Sequence, residues 1–362
     1  MRLTAITATV HEFSLRLPLI ERPTTRRVVF ATVETDAGLA GHGLTGAVLP
    51  AAVKAAIEQD LAPLLLGADP EATEAIHDRI ARTLNPRGFT GTLCHAVSAI
   101  DIALWDLKGK IHGRPVAALL GGARAACPTY VTFGFPAYDA ETLVRVAEAE
   151  LAAGASALKM VVGARPGGWR EDLARIRRVR AAIGPEVALM IDANCAFDPF
   201  SARELARAAA ECDLAWFEEP LAANDPRALA DLRRLGGIPI AVGQMEGDRY
   251  RHRALIEAGA VDVLQPNVCY GGGFTEVQKV AHLAQAFNLR LDNGGGWPLH
   301  NLHAMAGLAN GGAVEFHLDM RAIGETLFED APRPANGTVR VPDRPGLGLE
   351  PRAEVLAATR IL

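Results

Sequence analysis

The chain has 362 residues, 49% of them hydrophobic, and a formal net charge of −5, which predicts two domains, or one large barrel with an addition, around a large core. No basic run or aromatic–basic stripe is present, so nucleic acid is excluded as an expected partner, and no apolar stretch is long enough for a bilayer. His11 and Glu12 interrupt the N-terminal apolar run, against a signal peptide, and five scattered cysteines (Cys94, Cys127, Cys195, Cys212, Cys269) without a CxxC pair read as reduced thiols of a cytosolic protein.

In chain order, residues 2–10 and 28–35 have strand character, with Asp36 to Gly38 as a turn and Pro18 to Arg27 as a polar loop between the strands. Helical spacing follows over 50–66, 70–83 and 93–112, the last ended by Gly113-Arg114-Pro115. Residues 1–125 therefore read as an α+β unit. From Pro128 the pattern changes. Eight short apolar runs (TYVTFGF, SALKMVV, VALMIDAN, LAWFEEP, IPIAVGQ, VDVLQPN, LRLDN, AVEFHL) are separated by amphipathic stretches such as 140–153, 170–183, 201–212, 225–235, 248–259 and 273–287. Asp192, Glu218 and Gln244 are each 26 positions apart. Eight strands with intervening helices predict an α/β fold, a (β/α) barrel over 126–330. An open doubly wound sheet is the competing reading, and no GxGxxG loop follows the first strand to support it. The turn-rich tail, 331–362, is expected to pack back on the N-terminal unit.

The apolar runs end in polar residues: Lys159 on the second strand, Asp192 and Asn194 on the third, and Glu218 and Glu219 on the fourth. Gln244 ends the fifth, with Glu246 two positions on; Asn267, Asn293 and Glu315 end the sixth, seventh and eighth. Active sites of such barrels lie at the C-terminal strand ends. A buried charge there needs a partner or a metal. Two readings fit: a divalent ion on Asp192, Glu218 and the fifth-strand residue, for which hard oxygen donors suit Mg²⁺, or an ion network of these acids with Lys159 and nearby arginines.

The segment SAIDIALWDLKGKIHGRPVAALLGG, followed in order by LKMVVG, MIDAN, FEEP and PGLGLEP, resembles the mandelate racemase and muconate lactonizing branch of the enolase superfamily, nearly end to end. The resemblance implies a modified TIM-type (β/α)7β barrel capped by an α+β domain formed from the N-terminal segment and the tail. It also implies Mg²⁺ and removal of a proton next to a carboxylate. By motif position, Asp192 and Glu218 carry over as metal ligands, with Gln244 or Glu246 as the third. Lys159, Asn267 and Glu315 stand at catalytic positions, and Asn194, Asn293 and Arg22 are candidate substrate contacts.

The departures from the pattern concern proton transfer. The second strand reads Lys159-Met160-Val161, so valine replaces the second lysine of the usual Lys-x-Lys. Gln244 replaces an acid, and Asn267 with the Asn293-Gly294 region replaces an Asp–His dyad. The expected function is a Mg²⁺-dependent lyase that dehydrates a sugar acid or related hydroxy acid. A racemase or cycloisomerase, or a carboxylate-binding protein that has lost catalysis, are the alternatives. Arg26 and Arg27 are further candidate contacts for an acidic substrate, and Tyr270 a candidate acid. His300 and His303 read as core or surface histidines rather than catalysts, and His317 as facing the helices. A symmetric homo-oligomer is expected from the resemblance.

Overall fold

The first three strands, β1 (Leu3–Leu15), β2 (Thr24–Thr35) and β3 (Ala40–Gly46), form an antiparallel sheet in chain order. The computed structural model describes residues 1–46 and 48–362. Buried and exposed residues alternate along β1, as expected of a sheet with one wet face. Pairing of β1 with β2 runs as far as Leu15 opposite Thr24, so Thr24 to Arg27 belong to a strand and not to the expected loop. β3 has no counterpart among the predicted elements.

Helices α1 (Pro50–Ala55) and α2 (Ala62–Leu65) are joined by a π-helical segment, Ala56–Leu61. Then come α3 (Thr73–Leu84), α4 (Gly91–Ile111) and α5 (Val116–Leu119). Helix α4 is buried without a break from Cys94 to Leu107. Such a helix must satisfy every polar side chain internally. Ser98 donates to the Cys94 carbonyl, and Asp101 and Asp106 accept backbone N–H groups from other segments. A hydrophobic cluster fills the space between α4, the three-stranded sheet and helices α1 to α3.

The barrel follows as β4 (Ala126–Phe133), α6 (Ala140–Ala152), β5 (Ala157–Val161), α7 (Gly168–Ile183), β6 (Ala188–Asp192), α8 (Pro199–Ala208) and β7 (Leu214–Glu218). It continues through α9 (Pro226–Gly236), β8 (Ile240–Val242), α10 (Arg249–Glu257), β9 (Val263–Leu264), α11 (Gly273–Ala286), β10 (Arg290–Leu291), α12 (Pro298–Gly307), β11 (Val314–His317) and α13 (Leu318–Leu327). All eight predicted strands are present, parallel, and ordered from β4 to β10 with β11 beside β4. Closure between β10 and β11 is irregular: Leu291 N–H donates to the Asn310 carbonyl (2.9 Å) and Asn293 N–H to the Ala313 carbonyl (2.9 Å). The register pairs Val161 with Asp192 and Asp192 with Glu218, which brings the polar strand ends to one level.

After α13 come β12 (Phe328–Glu329), β13 (Thr338–Arg340), β14 (Glu350–Pro351) and a helix, α14 (Ala353–Thr359). β13 pairs with the foot of β4. The last residues pair with β1: Val10 N–H donates to the Leu362 carbonyl (3.0 Å) and Ile361 N–H to the Val10 carbonyl (2.8 Å). No helix among the described residues is long and apolar enough to cross a membrane.

Candidate active site

Lys159 sits in the middle of β5, fully buried, because period-2 alternation turns it into the barrel. Its Nζ stands 3.0 Å from Asp192 Oδ2, 3.0 Å from Glu315 Oε1, and donates to Glu218 Oε1. Three strands thus deliver three carboxylates to one ammonium. Burial alone would lower the lysine, but Asp192, Glu218 and Glu315 together hold it well above its ordinary value. Lys159 and the three acids form a buried ion cluster.

Each carboxylate has further donors. Glu218 Oε2 accepts from Trp216 Nε1 (3.1 Å) and Gln265 Nε2 (2.7 Å). Glu315 accepts from Thr132 Oγ1 and from Gly296 N (2.7 Å). Asp192 Oδ1 accepts from Asn194 N (2.9 Å). Thr132 and Gln265 escaped the sequence reading; the available signal was a polar residue in or just after an apolar strand.

Gln244 donates through Nε2 to Glu219 Oε2 (2.6 Å), and among the described residues its Oε1 accepts no hydrogen bond. Glu219 is driven up to about 7 by burial and by Asp192, against the hydrogen bonds from Asn224 and Gln244. Glu246 does not join Gln244. Strand β8 ends at Val242, so the two-residue alternation that would have kept Glu246 on the same face has stopped. Its carboxylate accepts from Asn224 Nδ2 (2.8 Å) and Arg251 Nε (2.8 Å), which correct its assignment as a ligand.

Asn267 and Asn293 are also corrected. The Asn267 amide donates to the Gly294 (2.6 Å) and Gly296 (3.1 Å) carbonyls and accepts from Cys269 N (2.9 Å) and Asn301 Nδ2 (3.0 Å). Asn293 donates to the same two carbonyls and accepts from Glu315 N (3.1 Å). Both are fully buried and spent on bracing the 294–296 loop. Arg22 is exposed and makes no hydrogen bond among the described residues.

A cavity of about 130 Å³ opens above the carboxylates, lined by Thr132, Val161, Asp192, Asn194, Gln244 and Glu315 together with Tyr270, His317 and Met320. Lys159 lies under its floor. His317 faces this cavity rather than the helices; its Nδ1 accepts from Asp319 N (3.3 Å), which leaves Nε2 as the protonated nitrogen of a neutral ring. Burial lowers its pKa. A second cavity of about 410 Å³ lies between the cap and the barrel, lined by Thr25, Arg26, Arg27, Tyr270, Trp297 and Met320. Tyr270 and Met320 line both cavities. Arg26, on β2, reaches Asp319 on α13 (2.6 Å) and ties cap to barrel at the rim. His300 and His303 are fully buried core residues of α12.

Comparison with known proteins agrees with this geometry. The family profile described as "Mandelate racemase / muconate lactonizing enzyme, N-terminal domain" matches residues 6–121, and "Enolase C-terminal domain-like" matches residues 142–355. The chain is 34% identical to a D-galactarolactone cycloisomerase of Agrobacterium fabrum, over 100% of this chain and 99% of that protein. It is 30% identical to an arabinonate dehydratase of Saccharolobus solfataricus, over 91% and 89% of the two chains. Among solved structures, a racemase from Streptomyces coelicolor A3(2) with bound magnesium superposes with a TM-score of 0.91 at 31% identity, covering 99% of this chain and 100% of that one. The chain belongs to the enolase superfamily, in its mandelate racemase and muconate lactonizing enzyme branch.

Proposed function

We propose that the protein is a Mg²⁺-dependent lyase that removes a proton next to the carboxylate of a sugar acid, or related hydroxy acid, and expels water. The observation that carries this reading is the cavity at the barrel mouth, where Asp192, Gln244 and Glu315 meet above Lys159 and below the cap arginines. The dehydratase and cycloisomerase relatives support the same class of chemistry. A metal is tested by its donors. Asp192 at the end of β6 and the unpartnered Oε1 of Gln244 just after β8 are hard oxygens on either side of β7, and they fit Mg²⁺. Glu218 fits on condition that it releases Lys159. A divalent ion held by Asp192, Glu218 and Gln244 would supply positive charge beside the carboxylate of the acid.

The chain's own groups supply the rest. Lys159 is the proposed base: a divalent ion on Asp192 and Glu218 would take up the carboxylate charge that now holds its proton and so lower its pKa, and its flexible four-carbon stem lets Nζ rise between Asp192 and Glu315 toward the cavity those acids line. Asn194 is a proposed substrate contact, and Arg26 and Arg27 attract an anion to the rim. A soluble homo-oligomer in the cytosol belongs to the same reading.

The test is to incubate the protein and Mg²⁺ in D₂O with a panel of pentonic, hexonic and hexaric acids, arabinonate and galactarate among them. 2-Keto acid formation and α-deuterium incorporation are both read. Keto acid that disappears in Lys159→Ala supports the lyase. Exchange without keto acid favours an isomerase. A second reading, a carboxylate-binding protein without catalysis, draws on Val161 in the cavity and the triple ion pair of Lys159. Mg²⁺ and acid binding with neither exchange nor product would establish it.

A further inference from the structure

If the lyase reading holds, the reaction needs a second proton-handling group, one that protonates the departing hydroxyl. The strand-end groups that line the cavity do not offer one: Asp192 and Glu315 are ion-paired with Lys159, and Glu219 is not among the lining residues. Val161 has no proton to move, and the Asn267 amide is spent on the 294–296 loop. His317 is a neutral ring whose Nδ1 is taken, so loss of its Nε2 proton would leave an imidazolate.

Tyr270 has the required geometry. It lies in the turn that follows β9, where Tyr270 N–H and Gly271 N–H both donate to the Asn267 carbonyl (3.1 and 2.7 Å). Its Oη is 2.7 Å from Trp297 Nε1. An indole N–H only donates, so the phenol oxygen is the acceptor. Its own hydrogen must point elsewhere, and among the described residues it has no acceptor. The residue is 9% exposed and lines both cavities, which places it where the barrel mouth meets the cap.

The surroundings are built around that hydroxyl. Trp297 holds a left-handed backbone conformation (φ 58°), which is costly for a bulky residue and persists only where neighbours enforce it. A Cβ at Gly46 would stand 2.3 Å from Tyr270 Oη, so the glycine clears room for the phenol. The His95 ring packs against the Tyr270 ring at 5.3 Å, and Cys94 Sγ donates to the Tyr270 carbonyl (3.0 Å). Cap and barrel both fix the position of this side chain.

We infer that Tyr270 is a catalytic residue, the general acid that delivers its phenolic proton to the leaving hydroxyl of the acid sugar. The inference rests on the lyase reading above. In a first, reversible step the base takes the proton from C2 and the neighbouring carboxylate holds the electron pair; in the second that pair forms the C2=C3 double bond, the C3–O bond breaks, and the departing oxygen takes the Tyr270 proton as water. In the enol that remains, the base returns its proton to C3 and the phenolate takes the enol hydroxyl proton. Both groups are restored, and the net change is loss of one water. A buried phenol is a weak acid, but it is a stronger one than the water it produces.

The experiment is Tyr270→Phe, assayed with arabinonate and galactarate in D₂O, with Lys159→Ala and the wild-type protein alongside. Keto acid formation should fall about 100-fold or more, while α-deuterium exchange stays within about 3-fold of wild type. The 3-deoxy-3-fluoro analogue of the better substrate should restore turnover, because fluoride leaves without a proton. Unchanged thermal unfolding controls for the fold. Elimination within 3-fold of wild type, or equal loss of exchange and elimination with no rescue by the fluoro analogue, would overturn the role of Tyr270 while leaving the lyase reading intact. A wild-type protein that neither exchanges nor eliminates overturns both.

Discussion

Lys159 and His300 are both fully buried titratable side chains, and their surroundings set opposite outcomes. The lysine keeps its charge because three carboxylates share it. His300 has no anion beside it: its ring packs edge-on to Phe328, and among the described residues its Nδ1 has no partner. Burial, reinforced by His303, holds it down to about 3. In the unfolded chain a histidine titrates near 6.5. Between these values the unfolded chain binds a proton that the folded chain refuses, so stability falls as pH drops below 6.5. From pH 6.5 to 5 the loss from this residue is about 1.5–2 kcal/mol. His300→Leu should remove it, so the variant's urea midpoint should be less sensitive to acid across that range. An unchanged slope would mean that the ring is protonated, or reaches water, in the folded state. The sequence left His300 open between core and surface and gave no sign of its missing partner, because burial and a hydrogen bond to Nδ1 are properties of the assembled neighbours. The same applies at the site. Asp192, Glu218 and Gln244 were legible as polar ends of apolar runs, whereas the departure of Glu246 toward Arg251 depends on where β8 stops.

At the scale of elements, the barrel strands could be read because each is an apolar run with a polar end, and their helices because one face is apolar. Helix α12 could not: all ten of its residues are buried, so it has no wet face and no amphipathic period. Strand β3 was hidden for another reason. Its sequence, AGHGLTG, has the composition of a turn, yet its glycines serve close packing. A Cβ at Gly43 would stand 2.0 Å from the Ala99 carbonyl oxygen, and one at Gly41 would stand 2.1 Å from that of Ala103. The strand therefore lies directly on the backbone of α4. Gly43→Ala should force the two apart and lower stability by about 2–3 kcal/mol, the upper part of the range for overpacking. Gly38→Ala is the informative comparison. That glycine has φ 74° and open space around it, so alanine there meets only backbone strain. Its cost should stay near 1 kcal/mol. Equal midpoints for the two variants in guanidinium titration would show that β3 is not seated as tightly as described.

For the whole molecule, α4 joins three parts that are distant in sequence. Asp106 accepts from His42 N on β3 (2.9 Å) and from Leu347 N in the tail (2.8 Å). On the barrel side, Ser98 Oγ accepts from Gly272 N (2.8 Å), Asp101 Oδ2 from Thr275 N (3.0 Å), and Trp105 Nε1 donates to Thr275 Oγ1 (2.8 Å). These bonds hold the segment that begins with Asn267 and carries Tyr270. They are buried and satisfied, so separating the cap from the barrel would strip partners from several polar groups at once. Cap and barrel should consequently unfold together. Asp101→Ala tests this because Asp101 also pairs with His77 on α3 (2.9 Å). The substitution leaves two buried donors, His77 Nε2–H and Thr275 N–H, without acceptors, a loss of about 2–5 kcal/mol. In a cooperative molecule that loss moves one transition to lower denaturant, with far-UV circular dichroism and tryptophan fluorescence still coincident. In a molecule of two independent units, the cap helices would melt first and the barrel tryptophans, Trp169, Trp216 and Trp297, would keep their wild-type midpoint. Coincident curves for Asp101→Ala would place the Tyr270 segment inside the same cooperative unit as the cap, so that loosening α4 also loosens the proposed acid.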